Sequence, residues 1–444
     1  MTPSRFRLFA LVALCLAAAP LQALGTEWFV AAGAAGNGTA TAPFGRIQQA
    51  LNVAMPGDVV SVRPGTYAES IRTVRNGVDG APITIRALGG RGFVLVSASG
   101  RVLTVDHENI IVDGLMLDGQ YGADDTVRVS SGGNTFTLRN AEVRRSSRDL
   151  IDMGAPYDVL VEGCLIHHAL NPVDGRSDAH GIVAGAVRRL TIRDTEIHTF
   201  SGDGFQVDSG RAAPGWTDVL LERNRIWLAP LATDENGYAA GVVPGENAVD
   251  TKASPSFARA TIHIRDTEAW GFRNGLITNM AAFNIKEHVD AVIDRVTVHD
   301  SEIAFRLRGA PSGGAWVALK NAVVYDVATA IRYEDDIQNL RIWNSTIGNG
   351  VGRVFQAAAS KPYGLTVLNT LILGQKPAEA AHQSNLAVGP SAFVDDRTHD
   401  YRLSSDSAAV DAGVSIVEVN DDRAGTRRPQ GEAFDVGAYE LERP

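Results

Sequence analysis

Short stretches in which apolar and polar residues alternate recur along most of the chain, and this period of two predicts β-strands. From about residue 108 each repeat has two such strands separated by one polar or turn-forming residue, as in residues 111–117 and 136–143. The repeats mostly start 23 to 31 residues apart, with one longer interval before residue 262. No helical spacing occurs inside a repeat, so the pattern predicts a solenoid built from strands.

Identical turns of such a chain stack about 4.8 Å apart and form parallel sheets around an apolar interior. Asn140, Asn321 and Asn344 at the turn between two strands fit this arrangement, because asparagine tolerates the left-handed backbone conformation. We therefore predict an all-β chain, a right-handed parallel β-helix over residues 26–380. A short amphipathic helix at residues 43–54 should cap its first coil, and a loop-rich C-terminal tail at residues 381–444 should pack on it.

A column of ring-bearing residues follows the second strand of successive repeats. Its members are His167, His198, Trp227, Trp270, His299 and Tyr325. The column is explained either by rings that stack on one another or by a surface that stacks on sugars.

A third strand lies between the two-strand repeats, and its copies align in sequence. The copies are residues 149–154, 180–185, 203–208, 247–252, 274–279, 303–308 and 329–334. Alternation sends one column outward, and it contains Asp152, Gln206, Asp250, Arg306 and Arg332. The next outward column contains Asp208, Lys252, Asn279, Arg308 and Glu334, and the strand starts carry Asp149, His180, Asp203, Asn247 and Asn274. One outer face is thus predicted to be acidic over early coils and basic over later ones.

The acidic part of this face predicts a cation site. Asp203, Glu246 and Asp250 would crowd together, and like charges so placed repel unless a cation joins them. Ca²⁺ prefers such oxygen ligands. A solvated charged face without a bound ion is the alternative.

The basic part of the face predicts chemistry on a uronic acid. Neutralising the carboxylate of a uronic acid stabilises the enolate that forms when the neighbouring carbon loses its proton. Lys252, crowded by other cations, is the candidate base, and Arg273, Arg306 and Arg308 are candidates for carboxylate binding or proton donation. His180 and Asn279 lie in the same columns and are predicted to contact substrate.

Composition limits location and partners. Residues 1–25 are typical of a signal peptide, with Arg5 and Arg7 before a short apolar run and cleavage near residues 23 to 25. No later stretch is long enough to span a membrane, so we predict a secreted or periplasmic monomer. Cys164 is then the only cysteine, which excludes an intrachain disulfide. The net charge of −10 argues against nucleic acid as a partner but is compatible with an anionic polysaccharide held by a basic patch or a cation.

The two ends of the chain resemble exported bacterial pectate-lyase-like β-helix proteins. The resemblance rests on residues 28–30, 43–54, 56–58 and 63–67 at the start and on residues 401–403, 409–413 and 435–440 at the end. It covers nearly the whole chain after the signal peptide and implies the fold more specifically than the activity.

The charged face resembles two groups of calcium-dependent polysaccharide lyases. Glu246-Asn247 followed by Lys252, and residues 272–275 on the next coil, look like the site of the alginate lyase and chondroitinase B family. This resemblance implies Glu246 and Asn247 as calcium ligands, Lys252 as base and Arg273 as acid, although Asn274 stands where that family has a histidine. Residues 201–205 resemble the calcium coil of lysine-base pectate lyases, with Gly202 and Gln206 in place of aspartates.

Taken together, the sequence predicts a lyase that cleaves a uronic-acid-containing polysaccharide by β-elimination, with Lys252 as base and Ca²⁺ or arginine neutralising the carboxylate. A non-catalytic polysaccharide-binding protein remains an alternative. So do a glycoside hydrolase and a C5-epimerase on the same fold. The insert at residues 229–243 precedes the predicted site and is explained equally well as a groove wall or as a surface loop.

Overall fold

The computed structural model describes residues 25–172, 178–208, 214–308, 314–334, 337, 339–358 and 364–443 of the 444-residue chain. The predicted signal peptide therefore lies outside the described residues, apart from Gly25. The strands form three long parallel sheets, and each turn of the chain adds one strand to each sheet in the order 1, 2, 3. This is the predicted parallel β-helix.

Sheet 1 contains, among the described residues, β1 (Glu27–Val30), β2 (Val59–Val62), β5 (Ile83–Ala87), β8 (Ile110–Asp113), β11 (Thr137–Arg139), β14 (Tyr157–Glu162), β17 (Arg188–Arg193), β20 (Thr217–Glu222), β23 (Ala260–Arg265), β26 (Val289–Asp294), β29 (Trp316–Lys320), β32 (Asn339–Trp343) and β35 (Leu365–Leu368). Sheet 2 contains β3 (Gly65–Ala68), β6 (Val94–Ser97), β9 (Met116–Gly122), β12 (Glu142–Ser146), β15 (Leu165–Ala169), β18 (Glu196–Phe200), β21 (Arg225–Trp227), β24 (Glu268–Trp270), β27 (Thr297–His299), β30 (Val323–Val324), β33 (Thr346–Ile347), β36 (Leu371–Leu373) and β37 (Leu386–Val388). Sheet 3 contains β4 (Ile71–Arg72), β7 (Leu103–Val105), β10 (Val127–Val129), β13 (Ile151–Met153), β16 (Ile182–Ala184), β19 (Phe205–Asp208), β22 (Asn247–Lys252), β25 (Ala281–Ile285), β28 (Ser301–Leu307), β31 (Val327–Tyr333) and β34 (Arg353–Ala357).

The turn between sheets 1 and 2 has the predicted left-handed backbone. Its φ angles are +51° at Asn140, +61° at Gly163, +52° at Asn321 and +43° at Asn344. Asn369 has the same conformation, and its Nδ2 donates to Asn344 Oδ1 at 3.3 Å. The asparagines therefore both form the corner and tie one coil to the next.

Apolar side chains at alternate strand positions fill the interior. In sheet 3, Phe205, Val249, Phe283 and Phe305 occupy one inward column and are completely buried. Phe283 and Phe305 stack with ring centroids 5.5 Å apart. Because this column fixes which residues face outward, it also fixes the composition of the charged face.

One of the aligned strand copies was predicted in the wrong place. The strand of this coil is β25 (Ala281–Ile285), seven residues after the predicted copy at residues 274–279. Leu276, which alternation in the predicted copy at residues 274–279 points inward, is 57% exposed. The segment before β25 has left-handed residues at Gly271, Asn274 and Asn279, which bend the backbone out of the extended conformation and make it a corner loop.

The ring column of sheet 2 is a continuous stack. Neighbouring ring centroids lie 4.4 to 5.7 Å apart, with nearly parallel planes, from His167 to Tyr325. His399 from the C-terminal tail adds one more ring, 4.0 Å from Tyr325. The ring faces cover one another, so the stacked-ring interpretation is confirmed.

The first coil is covered by α1 (Ile47–Val53), inside the predicted range, which buries Ile47, Ala50 and Leu51 against it. Its first backbone N–H groups donate to Glu69 Oε1 and Oε2. At the other end the tail forms an antiparallel pair of β38 (Phe393–Asp395) and β39 (Asp400–Leu403) and short 3₁₀ turns. Asn344 Nδ2 donates to the carbonyl of Asp435 in the tail at 3.2 Å. Within the described residues, no helix has the length and apolar character needed to cross a membrane.

Candidate functional site

The candidate site lies on the outer face of sheet 3. The pairing register places Gln206, Asp250, Asn284, Arg306 and Arg332 side by side on successive coils. Gln206, Asp250 and Asn284 are buried even though they point outward. The polar side chains of this face are therefore covered by longer neighbouring side chains.

A hydrogen-bonded network joins the starts of the sheet 3 strands. His180 Nδ1 lies 2.8 Å from Asp149 Oδ1, and its Nε2 lies 2.8 Å from the side-chain nitrogen of Gln206. Gln206 also donates to Asp203 Oδ2 at 2.8 Å, and Asn247 Nδ2 donates to Asp203 Oδ1 at 2.7 Å. All five residues are buried, so the network holds their side chains in fixed orientations.

His180 is surrounded by carboxylates. Burial lowers the pKa of this histidine, but its hydrogen bond to the Asp149 carboxylate and the charges of Asp149, Asp203 and Asp178 outweigh burial and raise the pKa overall. The structure therefore brings the predicted contact residue His180 together with the predicted ligand Asp203.

Glu246 lies beside the same network, immediately before β22. Burial raises the pKa of its carboxyl to about 7, and the nearby charges of Asp203, Asp178 and Asp250 act in the same direction. Its backbone N–H donates to Gly202 O at 2.8 Å. The predicted crowding of carboxylates is thus present at the strand starts.

Asp250 is shared by two lysines. Lys286 Nζ lies 2.8 Å from its carboxylate and Lys252 Nζ lies 3.5 Å away. Burial raises the pKa of Asp250 to about 6 and Asp203 adds to the effect, whereas Lys286 opposes it. Lys252 is the more exposed of the two lysines, with 39% of its side chain accessible against 16% for Lys286.

A basic patch covers the ends of the later sheet 3 strands. It consists of Lys252, Lys286, Arg306, Arg308 and Arg332. Burial lowers the pKa of Arg306, and the neighbouring cations Arg308 and Arg332 lower it further. The buried Nε atoms of Arg306 and Arg332 have no hydrogen-bond partner within the described part of the chain. An excess of cations with unused donors can bind an anion.

The acidic strand starts and the basic strand ends are separated along the strand. Lys252 follows Glu246 by six positions, which corresponds to about 20 Å of extended chain. The charge of this face therefore changes from acidic to basic in two directions. It changes from the early coils to the later coils, as predicted, and also from the start of a strand to its end.

Arg273 and Asn279 lie away from Lys252. Arg273 is in the corner loop before β25, where its Nη2 contacts Asp300 Oδ1 at 2.5 Å. Asn279 is at the end of that loop and accepts a hydrogen bond from Arg332. Asn279 therefore contacts the basic patch through Arg332, whereas Arg273 contributes to a different surface.

Most of the predicted calcium ligands make other contacts in this structure. Both oxygens of Asp203 accept amide hydrogen bonds, and Asn247 Oδ1 accepts from the backbone N–H of Ala281 at 3.1 Å. Asp250 is neutralised by lysines. Within the described ranges, no three His, Cys, Asp or Glu side chains converge to hold a metal ion. No step below is routed through calcium, which stays a prediction from the sequence.

The insert before β22 runs back along the corner between sheets 2 and 3. Asn236 Nδ2 donates to Ser147 Oγ at 3.0 Å, and Tyr238 OH donates to Asn171 O at 2.6 Å. Glu235 Oε2 lies 3.3 Å from His168 Nε2 and its other oxygen accepts from Tyr121 OH. These contacts span the coils from β9 to β21, so the insert forms a wall beside the strand starts of sheet 3.

Lys286 was missed by the sequence alignment because the strand of its coil was placed too early. Alternation of Ala281, Phe283 and Ile285 is the signal that would have found it, since this pattern puts Asn284 and Lys286 on the outer face. The structure thus replaces Asn279 by Lys286 as the neighbour of Lys252.

The chain matches no protein-family model and no curated protein. Among solved structures it is similar to the pectate lyase Pel9A, with 16% identity, a TM-score of 0.56 and coverage of 95% of this chain and 97% of that one. XylC in complex with xylose gives 11% identity, a TM-score of 0.51 and coverage of 94% and 98%. An alginate lyase from Paenibacillus sp. str. FPU-7 gives 18% identity, a TM-score of 0.45 and coverage of 77% and 99%. The similarities to Pel9A and XylC establish the fold, a pectate-lyase-like parallel β-helix.

Proposed function

We propose that the protein is a polysaccharide lyase that cleaves a uronic-acid-containing polymer at the basic patch. The observation that carries the proposal is the concentration of five lysine and arginine side chains on four successive coils of a chain whose net charge is −10. The similarity in fold to a pectate lyase supports a polysaccharide as substrate, because that relative acts on such a polymer.

In the proposed reaction, Arg306 and Lys286 bind the carboxylate of the uronic acid. Their charges stabilise the enolate that forms when the carbon next to the carboxylate loses its proton. The Nζ of Lys252 is the proposed acceptor of that proton. The C–O bond to the next sugar then breaks, a C=C bond forms, and the leaving oxygen receives a proton from the Lys252 ammonium. The proposal gives Arg273 no part in this step, because its guanidinium pairs with Asp300.

Ultraviolet absorbance of the unsaturated product tests the reaction. The purified protein would be incubated with pectate, alginate and chondroitin sulfate, each with and without a chelator. We expect a rise in absorbance on at least one polymer. No unsaturated product on any of them would refute the eliminative mechanism. Loss of activity with chelator, restored by Ca²⁺, would support the calcium requirement that stays a prediction from the sequence.

Two variants separate the roles of charge and base at Lys252. Lys252→Ala should abolish elimination, and Lys252→Arg should also abolish it while retaining polymer binding, since arginine stays protonated. Lys320→Ala, on sheet 1, is the matched control and should retain activity. Elimination that survives in Lys252→Arg would remove this lysine from the role of base.

The same incubations address the other functions. Shorter chains without new absorbance would indicate hydrolysis, for which Glu246 offers a partly exposed carboxyl group. A changed configuration at C5 without cleavage would indicate epimerisation. Binding without any chemical change would indicate a non-catalytic protein.

A further inference from the structure

A second groove lies outside the basic patch, at the corner between sheets 2 and 3 in the later coils. Its volume is about 590 Å³, which is within the range of ligand sites. It crosses four successive coils, and its lining includes Arg273, Asp300, Asp326, Val327, Gly350 and Gly352. This groove contains the arginine that the sequence predicted to be catalytic.

The groove carries hydrogen-bonding groups but little positive charge. Arg273 is its only lining cation in the described residues, against three lining carboxylates, those of Asp300, Glu302 and Asp326. Glu302 accepts the backbone N–H groups of Asn279 and Met280 at 3.0 and 3.2 Å and so holds the corner loop. The other two carboxylates, Asp300 and Asp326, repel a negatively charged ligand. The groove therefore suits an uncharged ligand that donates and accepts hydrogen bonds.

Backbone geometry keeps the floor of the groove open. Gly350 has a φ angle of +67°, and a Cβ atom there would lie 1.8 Å from Asp326 Oδ1. A side chain at Gly350 would therefore displace the Asp326 carboxylate. The exposed Ala328 adds a small apolar surface beside these polar groups, whereas Val327 is buried. Such a mixed surface matches a pyranose ring, which has both hydroxyl groups and apolar C–H groups.

We propose that this groove is a distal subsite for a neutral, hydroxyl-rich sugar residue of the same polymer whose uronic acid binds the basic patch. The inference rests on the proposed function for the identity of that polymer. Strand β28 runs from Ser301 at the groove to Arg306 in the patch, a distance of about 17 Å. One extended oligosaccharide can therefore reach both. The substrate class is a polymer that combines uronic acids with neutral sugars, rather than a homopolymer of uronic acid.

Binding measurements in a Lys252→Ala background test the inference without turnover. The probes are an oligosaccharide in which galacturonate alternates with rhamnose, an oligogalacturonate of equal length, and a neutral galactose tetrasaccharide. Arg273→Ala should weaken binding of the first and third probes about tenfold or more and leave the oligogalacturonate unchanged. Ala328→Trp, which fills the groove without removing an ion pair, should have the same effect.

Arg189→Ala is the matched control, because Arg189 is an exposed arginine that pairs with Asp158 on sheet 1. It should change no binding constant. Equal weakening of all three probes in Arg273→Ala, or no weakening of any, would overturn the inference. In the active enzyme, Arg273→Ala should raise KM for the mixed polymer and keep kcat, whereas a fall in kcat alone would restore Arg273 as the acid. If no polymer is cleaved but the tetrasaccharide still requires Arg273, the proposed function fails and the sugar groove stands.

Discussion

The position of strand β25 decides which residues stand beside Lys252, and a pair of substitutions tests it. Phe283→Ala removes a fully buried ring that stacks on Phe305 at 5.5 Å, which should lower the free energy of unfolding by about 3–5 kcal/mol. Leu276→Ala trims a side chain that is 57% exposed, and it should cost less than about 0.5 kcal/mol.

Urea unfolding followed by circular dichroism measures both changes, with the dependence on urea checked so that stability and compactness are separated. The two variants come from one coil, so each serves as the control for the other. Equal costs, or a larger cost for Leu276→Ala, would show that residues 274–279 form the strand. Asn279 rather than Lys286 would then neighbour Lys252, and the basic patch would lose one cation.

Three further predictions address the charged face. Burial raises the pKa of Glu246 from its ordinary 4.5 to about 7, so the folded state binds the proton more tightly and stability falls as pH rises between these values. At pH values above 7, Glu246→Gln should therefore have a higher urea midpoint than the unsubstituted protein, and below pH 4.5 the two midpoints should be equal. A lower midpoint for the variant above pH 7 would contradict the predicted direction of the effect. Lys286→Met removes the nearest cation of buried Asp250 and should lower the free energy of unfolding by about 3 kcal/mol. Adding Asp250→Asn should restore part of this loss. An unchanged urea midpoint in Lys286→Met would show that the two residues are not coupled. Asn247→Ala removes the donor to Asp203 and an acceptor for the next coil, and should cost about 2 kcal/mol in the same assay, whereas a neutral effect would exclude a structural role.

The fold could be predicted from the sequence because each coil repeats the same physical requirement. Alternating apolar residues such as Leu138 and Val161 must point inward in every coil, and a left-handed residue such as Asn140 must turn each corner. Many copies of one weak signal reinforce one another. The ring column beside them is predictable for the same reason, because stacking in register places equivalent side chains in contact.

The site was harder to predict because it depends on single residues rather than on the repeat. Apolar and polar residues alternate in residues 274–279 almost as well as in Ala281–Ile285. Only the burial of Phe283 against Phe305 distinguishes the two possible positions of the strand. The role of Asn247 was likewise hidden, since a carboxamide that can bind a cation can equally satisfy a backbone N–H group, and here it does so for Ala281. Local sequence does not show which partner an amide finds in the next coil.

The wall at residues 229–243 has a consequence for cooperativity. Coils of a solenoid contact only their neighbours, so such proteins open locally and fray from their ends. Contacts of Glu235 with Tyr121 and His168, and of Asn236 with Ser147, join coils that are not adjacent. Opening the coil of β9, β12 or β15 must break a contact with this one insert. We expect this stretch to exchange its backbone amide hydrogens as one unit, later than the coils that follow it.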